Sequence, residues 1–173
     1  VYSDRANNPT YHSPNGENYK TLNFMDKLYV LEEQDNYLHV VKDPDLRKDT
    51  LSARAEDLGW IAKNKLLLWT NNLVTERGKI NRKAMILNTV EQLKSETEGD
   101  KPDIVKFREA PGRDTPLTGE ESRLFQFFYI FKRSDDGQYI LLGKNSFFGE
   151  TSVNTVIKGW VPNDRSVLWF NRV

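Results

Sequence analysis

A long internal repeat is the sequence feature that most constrains the fold of this chain. Gly59-Trp60-Ile61 recurs 100 residues later as Gly159-Trp160-Val161, and Leu68-Trp69 recurs as Leu168-Trp169. All four tryptophans of the chain lie in these segments. A pattern that keeps its register over such a distance predicts that one structural unit is built twice.

The repeat divides the 173 residues into two small units and a connecting segment. We predict a first unit with an N-terminal arm over residues 1–72, a structured linker over 73–102 and a second unit over 103–173. Units of this size bury only a modest fraction of their surface on folding. We therefore expect the two copies to pack on each other or on the linker.

Composition argues against several classes of function. Basic and acidic residues number 25 each, so no basic excess is available to hold the phosphates of a nucleic acid. Apolar residues make up 38% of the chain and charged residues 29%, as in a globular domain, and no apolar run has membrane-spanning length. We expect neither nucleic-acid binding nor direct membrane insertion. The first residue is Val1 rather than an initiator methionine, which is compatible with a removed leader or anchor.

The residue types needed for catalysis or metal binding are scarce. Cysteine is absent, which excludes disulfides, cysteine-ligated zinc and a cysteine nucleophile. His12 and His39 are the only histidines, and neither has the spacing of a metal-ligand motif. Adjacent acids such as Glu120-Glu121 diverge instead of converging across a cleft. The sequence predicts a protein that is not an enzyme and that has no metal and no cofactor.

Short runs of β-branched and aromatic residues predict a mainly β fold. Residues 28–31 and 37–41 form one predicted hairpin, and 124–131 with 139–142 form its counterpart in the second copy. Residues 1–23 are rich in turn formers, which predicts an irregular arm and loop. Residues 83–94 fit one helical face but also a strand. Both alternatives stay open, with the strand slightly favoured.

The order of these elements resembles the bacterial SH3-like (SH3b) family, in which a glycine-tryptophan pair opens the last strands. In the first copy the resemblance is carried by Lys27-Leu28-Tyr29-Val30-Leu31, Asn36-Tyr37-Leu38-His39-Val40 and Leu58-Gly59-Trp60-Ile61. In the second copy it is carried by residues 104–111, Phe128-Tyr129-Ile130-Phe131, Gln138-Tyr139-Ile140-Leu141 and Lys158-Gly159-Trp160-Val161. The 16 residues before each pair are longer than the family pattern. The wider layout also resembles the N-terminal part of the TssR family, accessory proteins of the Bacteroidota type VI secretion system.

These resemblances imply two tandem SH3-like small β-barrels without catalytic residues. They imply a scaffold or protein-interaction module in a bacterial envelope assembly, with other subunits of that assembly as partners. Binding of cell-wall peptide or glycan, in the form of peptidoglycan fragments, is the alternative. Either function implies a periplasmic or otherwise extracytoplasmic location.

Trp60 and Trp160 fit two interpretations, as do Trp69 and Trp169. Exposed tryptophans could line a ligand groove, but a tryptophan that opens or closes a strand in a repeated unit is more often a core residue. We therefore predict a structural core role for all four.

The phenylalanines of the second copy are the predicted partner surface. Phe127 and Phe128 are adjacent in a predicted strand, so their side chains must point to opposite faces. Phe147 and Phe148 lie in a predicted loop, where packing gives little reason for aromatic residues. The alternative is that these phenylalanines are covered inside the protein, by the other copy or by the linker. We assign Phe127, Phe147 and Phe148 to the partner surface.

Overall fold

The chain divides into two compact units, Val1–Trp69 and Thr70–Val173. A computed structural model describes residues 1–44, 55–68, 83–87, 105–123, 125–144 and 156–164, and the backbone of 168–170. Antiparallel strands make up most of these residues in both units. The mainly β fold predicted from the sequence is confirmed.

The first unit is built on a five-stranded antiparallel sheet. The seven strands of the unit, five of which form this sheet, are β1 (Tyr2–Ser3), β2 (Asn8–Tyr11), β3 (Asn18–Leu22), β4 (Tyr29–Gln34), β5 (Tyr37–Lys42), β6 (Glu56–Ala62) and β7 (Leu66–Leu67). The sheet has the order β3-β2-β6-β5-β4, and β1 pairs separately with β7. The predicted hairpin is present as β4 and β5, with its turn confined to residues 35–36.

One face of this sheet covers the core of the first unit. Leu38 and Val40 of β5 and Ile61 of β6 are buried there, together with Leu22 and Leu28. Successive side chains of a strand point to opposite faces, so the residues between them lie on the other face of the sheet. The alternation that buries these aliphatic residues therefore places Tyr37, His39 and Trp60 on the outer face.

The prediction of an irregular arm over residues 1–23 is wrong, because this segment contributes three strands. Contacts with distant residues hold them. The Asn8 side chain is fully buried, and its Nδ2 donates to Ser3 Oγ at 3.0 Å and to the Lys65 carbonyl at 2.8 Å. Pro9 has no N–H to donate to a neighbouring strand. It is tolerated in β2 because β6 pairs with this strand at Tyr11 and not at Pro9.

The second unit contains a seven-stranded antiparallel sheet. Its strands are β8 (Lys83–Ile86), β9 (Val105–Arg108), β10 (Leu117–Ser122), β11 (Phe127–Arg133), β12 (Tyr139–Gly143), β13 (Ile157–Pro162) and β14 (Leu168–Phe170). They follow the order β10-β9-β13-β12-β11-β8-β14. The hairpin β11–β12 and the strand β13 correspond to β4, β5 and β6 of the first unit.

The segment between the two copies contributes β8 to the second sheet, so the strand alternative is the one found over Lys83–Ile86. β8 lies between β11 and β14 and pairs with both. Its Ala84 and Ile86 are buried in the same cluster as Phe107 and Phe128. Residues 88–94 lie outside the described part of the chain.

The pairing around the repeated glycine-tryptophan is the same in both units. Trp60 of β6 lies opposite His39 on one side and Tyr11 on the other. Trp160 of β13 lies opposite Leu141 and Arg108 in the same way. The two copies thus share a scaffold and differ in the side chains around the tryptophan.

Candidate interaction surfaces

The outer face of the first sheet carries a row of rings across three neighbouring strands. His39 of β5, Trp60 of β6 and Tyr11 of β2 are consecutive cross-strand partners, which places them side by side on one face. All three are partly exposed. We call these three residues the ring row.

Ring contacts and hydrogen bonds fix the side chains of this face. The rings of His39 and Trp60 are stacked, with centroids 5.1 Å apart and planes inclined by 14°. Tyr11 meets the ring of Tyr37 edge to face at 6.2 Å. The Tyr37 hydroxyl donates to Asn15 Oδ1 at 2.8 Å. These contacts hold the side chains of this face in a defined arrangement.

Asp57 anchors the polar border of the ring row. Its Oδ1 accepts a hydrogen bond from the Gly59 N–H at 2.9 Å and lies 2.8 Å from His39 Nε2. Partial burial raises the pKa of Asp57, but these two hydrogen bonds together with electrostatic attraction to His39 and Lys20 outweigh it and hold the pKa below its ordinary value. The charged carboxylate therefore orients the His39 ring that stacks on Trp60.

A lysine next to Asp57 is already paired. Lys20 Nζ donates to Glu56 Oε1 at 2.9 Å and to the Asp57 carbonyl at 2.8 Å. The hydrogen bond to Glu56 raises the pKa of Lys20. With Lys20 neutralised by Glu56, the charge of Asp57 gives this border an acidic character.

The two repeated tryptophans occupy different environments. Trp160 has no exposed surface, whereas Trp60 is partly exposed and lies outside the buried cluster of its unit. The core role predicted for Trp60 is therefore wrong. The physical reason is its neighbours: Trp160 lies opposite Leu141, which is fully buried, while Trp60 lies opposite the polar His39. Trp69 and the side chain of Trp169 lie outside the described residues.

The second unit has an exposed phenylalanine surface. Phe128 is 2% exposed and packs in the core, while Phe127 is 56% exposed on the other face, as strand alternation requires. Phe125 is 68% exposed and has a left-handed backbone with φ of +59°. Its N–H donates to the Ile86 carbonyl at 2.8 Å, and Phe127 lies opposite Met85 of β8. Phe147 and Phe148 lie outside the described residues.

Two family models match the chain. One, described as the TssR protein N-terminal barrel domain, matches residues 1–68, and the other, described as the TssR second domain, matches residues 81–165. The chain belongs to the TssR family. No curated protein and no solved structure is found to match it.

The TssR matches agree with the division of the fold. The N-terminal barrel domain coincides with the first compact unit, and the match to the TssR second domain begins before β8. This boundary supports the place of β8 in the sheet of the second unit. Membership of the TssR family links the chain to type VI secretion, and neither family description names an enzymatic activity.

The described residues include neither a metal-ligand cluster nor a membrane-spanning helix. No group of three or more histidine, cysteine, aspartate or glutamate side chains among them could hold a metal ion. No helix within the same residues is long and apolar enough to cross a membrane. Among the described residues, the aromatic surfaces of the two units are the exposed features that we consider for function.

Proposed function

We propose that this chain is a non-enzymatic scaffold or protein-interaction module of a type VI secretion assembly in the bacterial envelope. The proposal places it in the periplasm or another extracytoplasmic compartment, with other proteins of the assembly as partners. Membership of the TssR family supports the secretion context. The exposed phenylalanine surface of the second unit supports the interaction role.

The single observation that carries this proposal is the presentation of Phe125 and Phe127. Burial of one phenylalanine side chain stabilises a complex by about 1.5–3 kcal/mol relative to its exposure to water. A left-handed backbone at a bulky residue such as Phe125 costs about 1–3 kcal/mol, and such strain concentrates at functional positions. Two large apolar side chains near β8, one of them on a strained backbone, are suited to anchor a protein partner.

The test compares two exposed positions of the second unit in the full-length protein inside its native host. Phe127→Ser removes one of the two anchors, while Leu117→Ser changes a side chain of similar exposure on β10, which is separated from β11 by three other strands in the sheet order. Affinity purification after cross-linking would measure how much of the other secretion-system proteins is recovered. We expect a loss of at least tenfold for Phe127→Ser and little change for Leu117→Ser. Equal recovery with both variants would contradict the proposal.

A second proposed function, the binding of cell-wall peptide or glycan, is supported by the ring row. Exposed, pre-arranged aromatic side chains with polar groups at their border are typical of sites that bind small or extended ligands. This function would operate through the first unit, and the protein interaction through the second. The two proposals therefore involve separate surfaces and can be tested separately.

A further inference from the structure

We propose that the ring row binds a neutral, extended sugar chain that runs across β5, β6 and β2. The inference deepens the second proposed function and rests on it, because it names the glycan rather than the peptide as the ligand. Four observations carry it: the chemistry of the side chains, their spacing, their fixed arrangement and the charge around them.

The side chains of the ring row combine apolar and polar surface. His39, Trp60 and Tyr11 each present an aromatic ring with a nitrogen or hydroxyl group at its edge. Tyr37 next to them adds a further ring and hydroxyl. A sugar unit has matching properties, with apolar C–H groups on its ring faces and hydroxyl groups around its edge.

The spacing of the row fits a repeating ligand. Neighbouring strands lie about 4.8 Å apart, and the row has one ring on each of three neighbouring strands. The measured distance between the His39 and Trp60 centroids, 5.1 Å, follows this spacing. An extended chain of hexose units has a repeat of comparable length, so successive sugars would each meet one ring. A compact ligand would contact only part of the row.

The fixed arrangement of the row lowers the entropy cost of binding. Stacking on His39 limits the Trp60 side chain, the hydrogen bond with Asp57 limits His39, and the hydrogen bond with Asn15 limits Tyr37. Immobilising a flexible side chain on binding costs conformational entropy. Side chains that are already held avoid much of this cost, which favours weakly binding ligands such as neutral sugars.

The charge around the row disfavours polyanions. Asp57 lies at the border of the row, and the cation of Lys20 is already engaged by Glu56. A nucleic acid or an anionic lipid surface would bring phosphate groups towards these carboxylates, with no free lysine among these residues to receive them. A neutral glycan has hydroxyl donors for Asp57 and carries no opposing charge.

The second unit provides an internal comparison. The positions that correspond to His39, Trp60 and Tyr11 hold Leu141, Trp160 and Arg108, and both Leu141 and Trp160 are fully buried. The same scaffold therefore exposes a ring row in the first unit only. We infer one glycan site on the described part of the chain, in the first unit.

The experiment measures binding of three probes to the full chain by isothermal titration calorimetry. The probes are a hexamer of β-1,4-linked N-acetylglucosamine, maltohexaose as a sugar of different shape, and a free stem peptide of peptidoglycan. Trp60→Ala and Tyr37→Phe alter the ring row and its neighbour, and Phe127→Ala is the matched control on an exposed aromatic residue of the other unit. Circular dichroism verifies that each variant is folded.

We expect saturable binding of the N-acetylglucosamine hexamer, at least tenfold weaker binding by Trp60→Ala, and unchanged binding by Phe127→Ala. Tyr37→Phe keeps the ring and removes one hydroxyl, so binding should weaken a few-fold. If Trp60→Ala does not fold, His39→Ala replaces it with the same expected loss.

Three results would overturn the glycan inference. The first is no saturable binding of either sugar, and the second is sugar binding that Trp60→Ala leaves intact. The third is binding of the stem peptide through the ring row in place of the sugars, which would leave the second proposed function standing. Failure with all three probes would remove both.

Discussion

Replacement of the repeated glycine Gly159 tests how closely β13 packs against β9 and β10 in the sheet of the second unit. Gly159 has φ of +135°, and a Cβ there would lie 2.7 Å from the Arg108 carbonyl oxygen and 2.9 Å from Phe107 Cβ and Thr118 Cγ2. Gly119 of the same unit also has positive φ, +78°, but a Cβ there would have no atom within 4 Å. Alanine at Gly119 therefore introduces backbone strain alone, whereas alanine at Gly159 introduces backbone strain together with steric contact.

The expected magnitudes follow from these contacts. Alanine in a left-handed conformation costs about 1–2 kcal/mol, which is the whole effect expected at Gly119. At Gly159 the added methyl group also meets a backbone oxygen and two side chains. Overpacking of this kind costs about 1–3 kcal/mol in addition. We therefore expect Gly159→Ala to lower the free energy of unfolding of the second unit by about 2–5 kcal/mol.

The assay must report on the second unit alone, because a two-unit protein need not unfold in one step. Hydrogen exchange measured by mass spectrometry at increasing urea gives the free energy of opening for peptides from β12 and β13. The loss of this free energy should be larger for Gly159→Ala than for Gly119→Ala, by about 1 kcal/mol or more. Equal losses for the two variants would refute the steric argument for the repeated glycine.

Three further predictions concern individual side chains. Because the folded pKa of Asp57 is lowered, its charged form stabilises the fold above the unfolded pKa, and this stability is lost as pH falls through the folded pKa. Asp57→Asn should therefore flatten the acid side of the pH–stability curve, by under about 1 kcal/mol since the carboxylate is largely exposed, and an unchanged acid limb would contradict this. Ile86→Ala should destabilise the second unit by about 2–5 kcal/mol in urea unfolding, whereas Lys83→Ala on the same strand should change it by under about 0.5 kcal/mol. Asn8→Ala should cost about 1–3 kcal/mol in thermal unfolding, because the Lys65 carbonyl keeps only the longer hydrogen bond from the Asp4 N–H and Ser3 Oγ loses the donor at Asn8 Nδ2. An unchanged melting temperature would contradict this.

The repeat and the hairpins could be predicted because local patterns determine them. The alternation of Leu38 and Val40 with polar neighbours sets both the strand and its buried face. The first strands could not be predicted in this way. Asn8 and Tyr11 depend on partners far along the chain, the Lys65 carbonyl and Trp60, and turn-forming composition gives no sign of these contacts.

The environment of Trp60 shows a second limit. Alternation tells which residues share a face of a strand, but not whether that face is covered. Comparison of the two copies at matched register would have helped, because His39 stands where the second copy has Leu141. A polar residue opposite one tryptophan and an aliphatic residue opposite the other indicates that only the second face is buried. Strand alternation opposite Phe128 accounts for the exposure of Phe127. The exposure of Phe125 depends on a backbone with positive φ, which nothing in the sequence indicates for a phenylalanine.

The position of β8 in the sheet order has a consequence for the order of folding events. β14 pairs with β8 and with no other strand in the described part of the chain, so it cannot join the sheet until β8 has docked on β11. Both pairings join strands that are far apart in sequence, and the loop-closure entropy of such contacts slows folding. The first unit closes most of its sheet through the hairpin β4–β5 and the adjacent β6. The second unit should therefore complete its fold later, with the attachment of β14 as a late step in refolding kinetics.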